Sequence, residues 1–210
     1  HACDAVIPVM SWLLITLPLW LSPFHPAVVA YFILAFNVYF FYKSAQTVYY
    51  CVKSYREIQL HQLIPYHTKV SKNKAVAALH HFVIIPNYKE PIYKLEETIA
   101  AITKNNYPHK SIYLVLAFEK REEEAPEIGK RLIAQYGSFF KDTLCTYHVL
   151  EPHEAPGKAS NQTHAARQIS EYAREKGIAP QNALITVCDA DSILAHNYFS
   201  YLSYEYVRDE

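Results

Sequence analysis

Residues 183–192 read ALITVCDADS, an apolar and β-branched run that ends in two carboxylates. A short run of this kind is typical of a strand buried in a parallel sheet. Open α/β sheets bind ligands beyond the carboxyl ends of their strands, and residues two apart on an extended chain point the same way. Asp189 and Asp191 therefore predict a hard-oxygen site for Mg²⁺ or Mn²⁺, ions that commonly join carboxylates to substrate phosphates.

Strand and helix patterns alternate on both sides of this stretch. The strands are predicted at 80–86, 111–118, 144–150 and 183–188, and the helices at 91–106, 122–136, 159–176 and 198–207. Gly177 is expected to end the third helix. Strands separated by helices form right-handed βαβ units. The pattern therefore predicts an α/β fold with a mostly parallel sheet and helices on both faces.

The N-terminal region is apolar enough to enter a membrane. Residues 5–42 contain no Asp, Glu, Lys or Arg. This uncharged stretch is too long for one spanning helix, which needs about 20 residues. Two prolines within residues 22–26 favour a break, so we predict a transmembrane helical hairpin within residues 1–52. The spans are expected near 5–21 and 27–50. The first is short and contains two prolines, so a re-entrant segment is an alternative; a signal peptide is another, although its basic leader is missing.

Basic residues follow the second predicted span. Residues 53–78 are predicted to form an amphipathic juxtamembrane connector that contains several Lys and one Arg. An excess of Lys and Arg beside a span marks the cytoplasmic side. Because two spans return the chain to its starting side, we expect an integral protein of the inner or plasma membrane, in contact with membrane lipids and with its soluble domain in the cytoplasm.

The composition excludes several classes of protein. Lys and Arg together number 20, as do Asp and Glu, so the formal net charge is zero and no basic field favours nucleic acid as a partner. The four cysteines are scattered without a C-x-x-C pair. This distribution fits a reducing compartment and argues against a zinc site or a disulfide framework.

The other three strand ends also carry residues suited to ligand binding. The first reads PNYKEP over residues 86–91, where Tyr88 offers a flat ring for a nucleobase and Glu90 a carboxylate; an ordinary proline-bounded turn is the alternative. The second ends at Glu119, which is placed either to accept a hydrogen bond from a base imide or to lie solvated at a helix start. The third connection leads through a Gly-Lys pair into a helix, whose N-terminus attracts phosphate and where Lys158 adds a positive charge.

The joint order of these motifs is more specific than any one of them. P-x-Y-x-E, an acidic strand end, G-K-x-x-N and D-x-D follow one another at the same edge of the predicted sheet. This order resembles the nucleotide-binding half of family-2 glycosyltransferases of the GT-A fold, over residues 80–207. The N-terminal spans resemble those of processive, membrane-embedded members, and the GT-A domain would then occupy residues 79–210.

The resemblance implies a role for each motif. The first two loops would surround the base of a nucleotide-sugar donor, and Lys158 would lie near the base and the phosphates. Asp189 would contact the ribose or the metal, and Asp191 would ligate the Mg²⁺ or Mn²⁺ that bridges the diphosphate. The implied nucleotide-sugar-binding residues are Pro86, Tyr88, Glu90, Glu119, Lys158 and Asp189, and the implied metal ligands are Asp191 and Asp189.

The chain departs from the family pattern at two points. Many members have a D-D-x-S turn where this chain has Glu119, Lys120 and Arg121, which leaves the base specificity open. The catalytic base of the family and its later Q-x-x-R-W segment have no counterpart here. We therefore expect the domain to be incomplete at its C-terminal end, with the base beyond Glu210.

The function that the resemblance implies is an inverting transfer of a sugar, from a UDP-sugar by default, to a polysaccharide or lipid acceptor. A non-catalytic nucleotide-sugar-binding module is the alternative if this length is native. A haloacid-dehalogenase-like phosphatase is a further alternative, because an apolar strand followed by D-x-D opens such domains. Here that motif falls near the end of the chain instead.

Overall fold

The computed structural model describes residues 2–152, 154–155 and 157–208. The chain divides into two compact units, residues 1–61 and 62–210. The first unit is made of long apolar helices and the second is an α/β domain, and each is described by itself.

The N-terminal unit contains helix α1 (Ala2–Leu21) and most of helix α2 (Pro26–Leu63), joined by a short turn. Nearly all of its large apolar side chains are exposed. Within the described chain, α2 is the one helix long and apolar enough to cross a membrane, and the apolar stretch Ala5–Leu21 is shorter. The predicted second span, 27–50, lies inside α2, whereas a hairpin of two spanning helices stays a prediction.

The α/β unit is built on a sheet of four strands that all run parallel. The strands are β1 (His80–Asn87), β2 (Ile112–Glu119), β3 (Asp142–His148) and β4 (Ala183–Val187). Their order across the sheet is β3-β2-β1-β4. The predicted α/β class with a parallel sheet is therefore confirmed, although β3 begins and ends two residues earlier than the sequence pattern indicated.

Six α-helices accompany the sheet in the described part of this unit. They are α3 (Tyr66–Val70), α4 (Lys74–Ala77), α5 (Ile92–Thr103), α6 (Ala125–Tyr136), α7 (Lys158–Glu175) and α8 (Tyr198–Arg208). Most of the segment predicted as a connector, 53–78, is thus helical. Part of this segment belongs to the α/β unit, because the buried ring of Tyr66 packs against α8. The centroid of that ring lies 5.0 Å from the ring centroid of Tyr201 and 5.2 Å from that of Tyr204.

The two faces of the sheet bury separate cores because successive side chains of a strand point to opposite faces. Val83 and Ile85 of β1 join the larger core, with α5, α6 and α8. Phe82 and Ile84 join the smaller core under α7. From β1 the chain moves outward through β2 to β3, and it then returns past β1 to β4. Right-handed crossovers that run in opposite directions place their helices on opposite faces of the sheet. This is why α5 and α6 cover one face and α7 covers the other.

Candidate functional site

The strand order reverses between β1 and β4, since β2 and β3 lie on one side of β1 and β4 on the other. In open α/β sheets the loops at such a reversal separate and leave a crevice at the carboxyl ends of the strands. A cavity of about 350 Å³ lies at this edge. Its lining includes every residue predicted from the sequence to bind donor or metal: Pro86, Tyr88, Glu90, Glu119, Lys158, Asp189 and Asp191.

The loop after β4 carries the two aspartates and is held on both sides. The backbone N–H of Cys188 donates to the carbonyl of Ile84 at 2.9 Å. The hydroxyl of Thr98 in α5 donates to the carbonyl of Ala190 at 2.9 Å. These bonds anchor the Asp-Ala-Asp segment to the sheet and to a helix, so both aspartates are presented by a supported backbone.

Lys158 connects the third loop to the fourth. Its ammonium group forms an ion pair with the Oδ1 atom of Asp189, and both side chains are about half exposed. Lys158 is also the first residue of α7, and no side chain caps that helix among the residues described there. Unpaired N–H groups and the helix dipole favour an anion at this position.

The carboxylates of the cavity suit a divalent ion that also binds phosphate. No group of three or more His, Cys, Asp or Glu residues converges in the described ranges. Mg²⁺ does not require such a group, since it is commonly held by one or two carboxylates together with substrate phosphates and water. Asp189 and Asp191 supply two hard oxygen donors, and only Asp189 is paired with a cation in the described chain.

The loop after β1 presents Tyr88 and Glu90 to the cavity. The Tyr88 side chain is 38% exposed. The following residue, Lys89, has a φ of +57°, a left-handed conformation that is uncommon for residues other than glycine. Glu90 accepts a hydrogen bond from Lys94 at 2.9 Å, and this bond raises the pKa of the lysine.

Glu119 lies at the end of β2 and is almost completely buried. Its carboxylate forms an ion pair with Arg121, and the hydrogen bond between them raises the pKa of the arginine. The Arg121 guanidinium also lies over the ring of Tyr88, with its Cζ atom 4.1 Å from the ring centroid. The carboxylate predicted to receive a base is thus already bound by a side chain of the same loop.

Three further polar residues line the cavity, and sequence reasoning assigned a role to none of them. They are Asn87, Arg121 and Asn161. Asn161 donates to the carbonyl of Ala117 at 2.8 Å, and Asn87 donates to the carboxylate of Glu122 at 3.3 Å. The side-chain oxygen of each asparagine is buried without a hydrogen-bond partner in the described chain. Asn161 is the last residue of the G-K-x-x-N motif and Asn87 ends β1, so their places in and beside the predicted motifs were the available signal in the sequence.

The loop before α7 is pinned to the sheet by His148. The Nε2 atom of this buried histidine lies 2.9 Å from a carboxylate oxygen of Glu154. The same oxygen accepts from the backbone N–H of Glu151 at 3.3 Å. Residues 153 and 156 of this loop, like residues 209–210 at the chain end, lie outside the described residues.

Two comparisons with known proteins bear on the identity of the chain. No family model matches the chain, and no curated protein matches it. The inference of function therefore rests on the residues of the cavity and on their geometry.

Proposed function

We propose that this chain is the donor-binding part of a membrane-bound inverting glycosyltransferase of the GT-A fold. It would transfer a sugar from a nucleotide-sugar, a UDP-sugar by default, to a polysaccharide or lipid acceptor. The single observation that carries the proposal is the convergence of all seven predicted residues on one cavity at the strand-order reversal. Those residues come from the ends of β1 and β2, from the loops after β1 and β4, and from the start of α7.

The charges of the cavity match the parts of such a donor. The N-terminus of α7 and the ammonium group of Lys158 favour a diphosphate. Asp191 and Asp189 would hold Mg²⁺ or Mn²⁺, which would neutralise the charge that develops on the leaving diphosphate. Tyr88 would offer its ring to the base, and the buried oxygens of Asn87 and Asn161 accept hydrogen bonds from hydroxyl or N–H groups.

The remaining parts of the reaction lie outside this cavity. An acceptor hydroxyl must lose its proton to a base as it attacks the anomeric carbon, and such a base typically contributes about 10²–10⁴-fold to the rate. The position of that base, which the family resemblance leads us to expect beyond Glu210, stays a prediction. The apolar helix α2 supports attachment to the inner or plasma membrane, with the α/β unit in the cytoplasm.

Calorimetric titration of the detergent-solubilised chain tests the proposal. UDP, GDP and dTDP are titrated with and without Mn²⁺. We expect binding of one nucleotide that depends on Mn²⁺ and is abolished by Asp191→Asn. A matched control is Glu175→Gln, which removes the same charge from an exposed position at the other end of α7, about 27 Å away along an 18-residue helix.

The outcomes separate the proposal from its alternatives. Loss of binding in Asp191→Asn but not in Glu175→Gln supports a metal-dependent donor site. Binding of nucleotide without sugar transfer by the native protein supports a non-catalytic nucleotide-sugar-binding module. If none of the three nucleotides binds, the glycosyltransferase proposal is wrong.

A further inference from the structure

Arg121 contacts two of the side chains that the family resemblance assigns to the nucleobase, Tyr88 and Glu119. Its guanidinium covers the ring of Tyr88 at 4.1 Å and forms the ion pair with Glu119. A planar guanidinium stacks on an aromatic ring and pairs with a carboxylate much as a flat heterocycle with N–H donors does. The ring of Tyr88 and the buried carboxylate of Glu119 can therefore bind either Arg121 or a base, but not both at once.

The two ends of this ion pair differ in their freedom to move. The Arg121 side chain is 45% exposed, whereas that of Glu119 is 4% exposed. A half-exposed arginine can rotate into water and remain hydrated, but the buried carboxylate cannot follow it. Since an unpaired buried carboxylate is strongly unfavourable, whatever displaces Arg121 must itself donate a hydrogen bond to Glu119.

Arg121 also borders two cavities, as Glu90 does. It lines the cavity of about 350 Å³ that holds the predicted site residues, and it lines a neighbouring groove of about 1010 Å³. Ligand pockets commonly range from about 300 to 1,000 Å³, so the first cavity lies near the lower limit. Movement of the Arg121 side chain away from Tyr88 would enlarge the site toward the groove.

We propose that Arg121 is a displaceable gate of the base site, and that a nucleobase enters by taking over both of its contacts. The proposal rests on the proposed function, because it presumes that the ligand is a nucleotide. The incoming base stacks on Tyr88 and donates a ring N–H to Glu119. This selects guanine or uracil, which carry such a donor, over adenine and cytosine, which present a lone pair at the corresponding ring nitrogen.

Substitution of Arg121 should have opposite effects on nucleotide affinity, depending on whether Arg121 is a gate or a residue that binds the nucleotide. If Arg121 must leave before the base enters, removal of its charge lowers the free energy required for binding. Cation–π stacking and a half-exposed ion pair together correspond to about threefold to thirtyfold in affinity. If Arg121 instead holds the nucleotide, for example through the diphosphate, its removal weakens binding.

The test is calorimetric titration of UDP, GDP, ADP and CDP in the presence of Mn²⁺. We compare the wild type with Arg121→Gln, whose neutral amide still donates to Glu119 and protects the fold, and with Arg121→Ala. The matched control is Lys120→Gln, since Lys120 is adjacent, exposed and of the same charge. We expect both Arg121 variants to bind UDP or GDP at least about threefold more tightly, whereas Lys120→Gln binds no more tightly than the wild type.

Each outcome decides between the gate and its alternatives. Weaker or unchanged binding of UDP and GDP by both Arg121 variants overturns the gate and leaves the proposed function standing. Equal tightening for ADP and CDP overturns the requirement for a ring N–H donor. Failure of the wild type to bind any nucleotide overturns the proposed function, and the gate with it.

Discussion

Substitution of His81 should change how the stability of the α/β unit depends on pH. His81 lies in β1 and is completely buried. Its Nε2 atom is 2.9 Å from the hydroxyl of Ser203 in α8, and its ring packs edge-on against Tyr107 and Phe199. The imidazole is thus enclosed by a hydroxyl and aromatic rings, an environment that disfavours its charged form.

Burial, with a smaller contribution from the charge of His80, lowers the pKa of His81 from 6.5 to about 4. Above about pH 6.5 the side chain is neutral in both the folded and the unfolded states, so its contribution to stability is complete. As the pH falls below that value, the unfolded chain binds a proton that the folded chain excludes. Stability therefore falls across the window from 6.5 to about 4, and between about pH 7.5 and about pH 5 we expect a loss of about 2 kcal/mol from this residue.

Urea unfolding of the detergent-solubilised chain measures this loss. Both tryptophans lie in α1, so tyrosine near-ultraviolet circular dichroism, and not tryptophan fluorescence, reports on the α/β unit. The reference variant is His81→Leu, which cannot titrate. Ser203 keeps a partner in that variant, because the Tyr107 side chain also hydrogen-bonds to it. The wild type should lose about 2 kcal/mol more than His81→Leu between about pH 7.5 and about pH 5, and equal losses would refute a neutral buried His81.

Two other substitutions test the site and the fold. Lys158→Ala should weaken the binding of nucleoside diphosphate about tenfold, because it removes the charge beside the start of α7. Lys176→Ala, at the far end of that helix, is the control. Equal losses of affinity in the two variants would contradict the role assigned to Lys158. Gly177→Ala should lower the free energy of unfolding by about 1 kcal/mol, because Gly177 has a φ of +67° while a Cβ there would meet no atom within 4 Å. Gly177→Asn should lose less, as measured by urea unfolding, and an unchanged stability in Gly177→Ala would contradict the backbone argument.

The sequence predicted the repeating parts of the α/β unit because their signals are local. A buried parallel strand is a short β-branched run and a covering helix has apolar residues at helical spacing, so β1, β2, β4 and the helices that follow the first three strands were found with small errors at their ends. The loops of the site were found for the same reason. Parallel strands end at one edge of a sheet, so Tyr88, Lys158 and Asp191 were expected at the same edge as soon as the strands were known.

Tertiary structure alone decided which strands are adjacent and how the side chains of the site pair. No local pattern states that β4 lies beside β1, because the pairing energy depends on which faces the crossover helices bury. Nor does periodicity reveal that Arg121 covers Tyr88, or that His81 meets Ser203, 122 positions along the chain. Such contacts are selected by burial and by the need of each buried polar group for a partner, and both are properties of the packed fold. The amino-acid sequence thus determined the fold class and pointed to seven residues that line one cavity, and packing determined how the side chains of that cavity pair with one another.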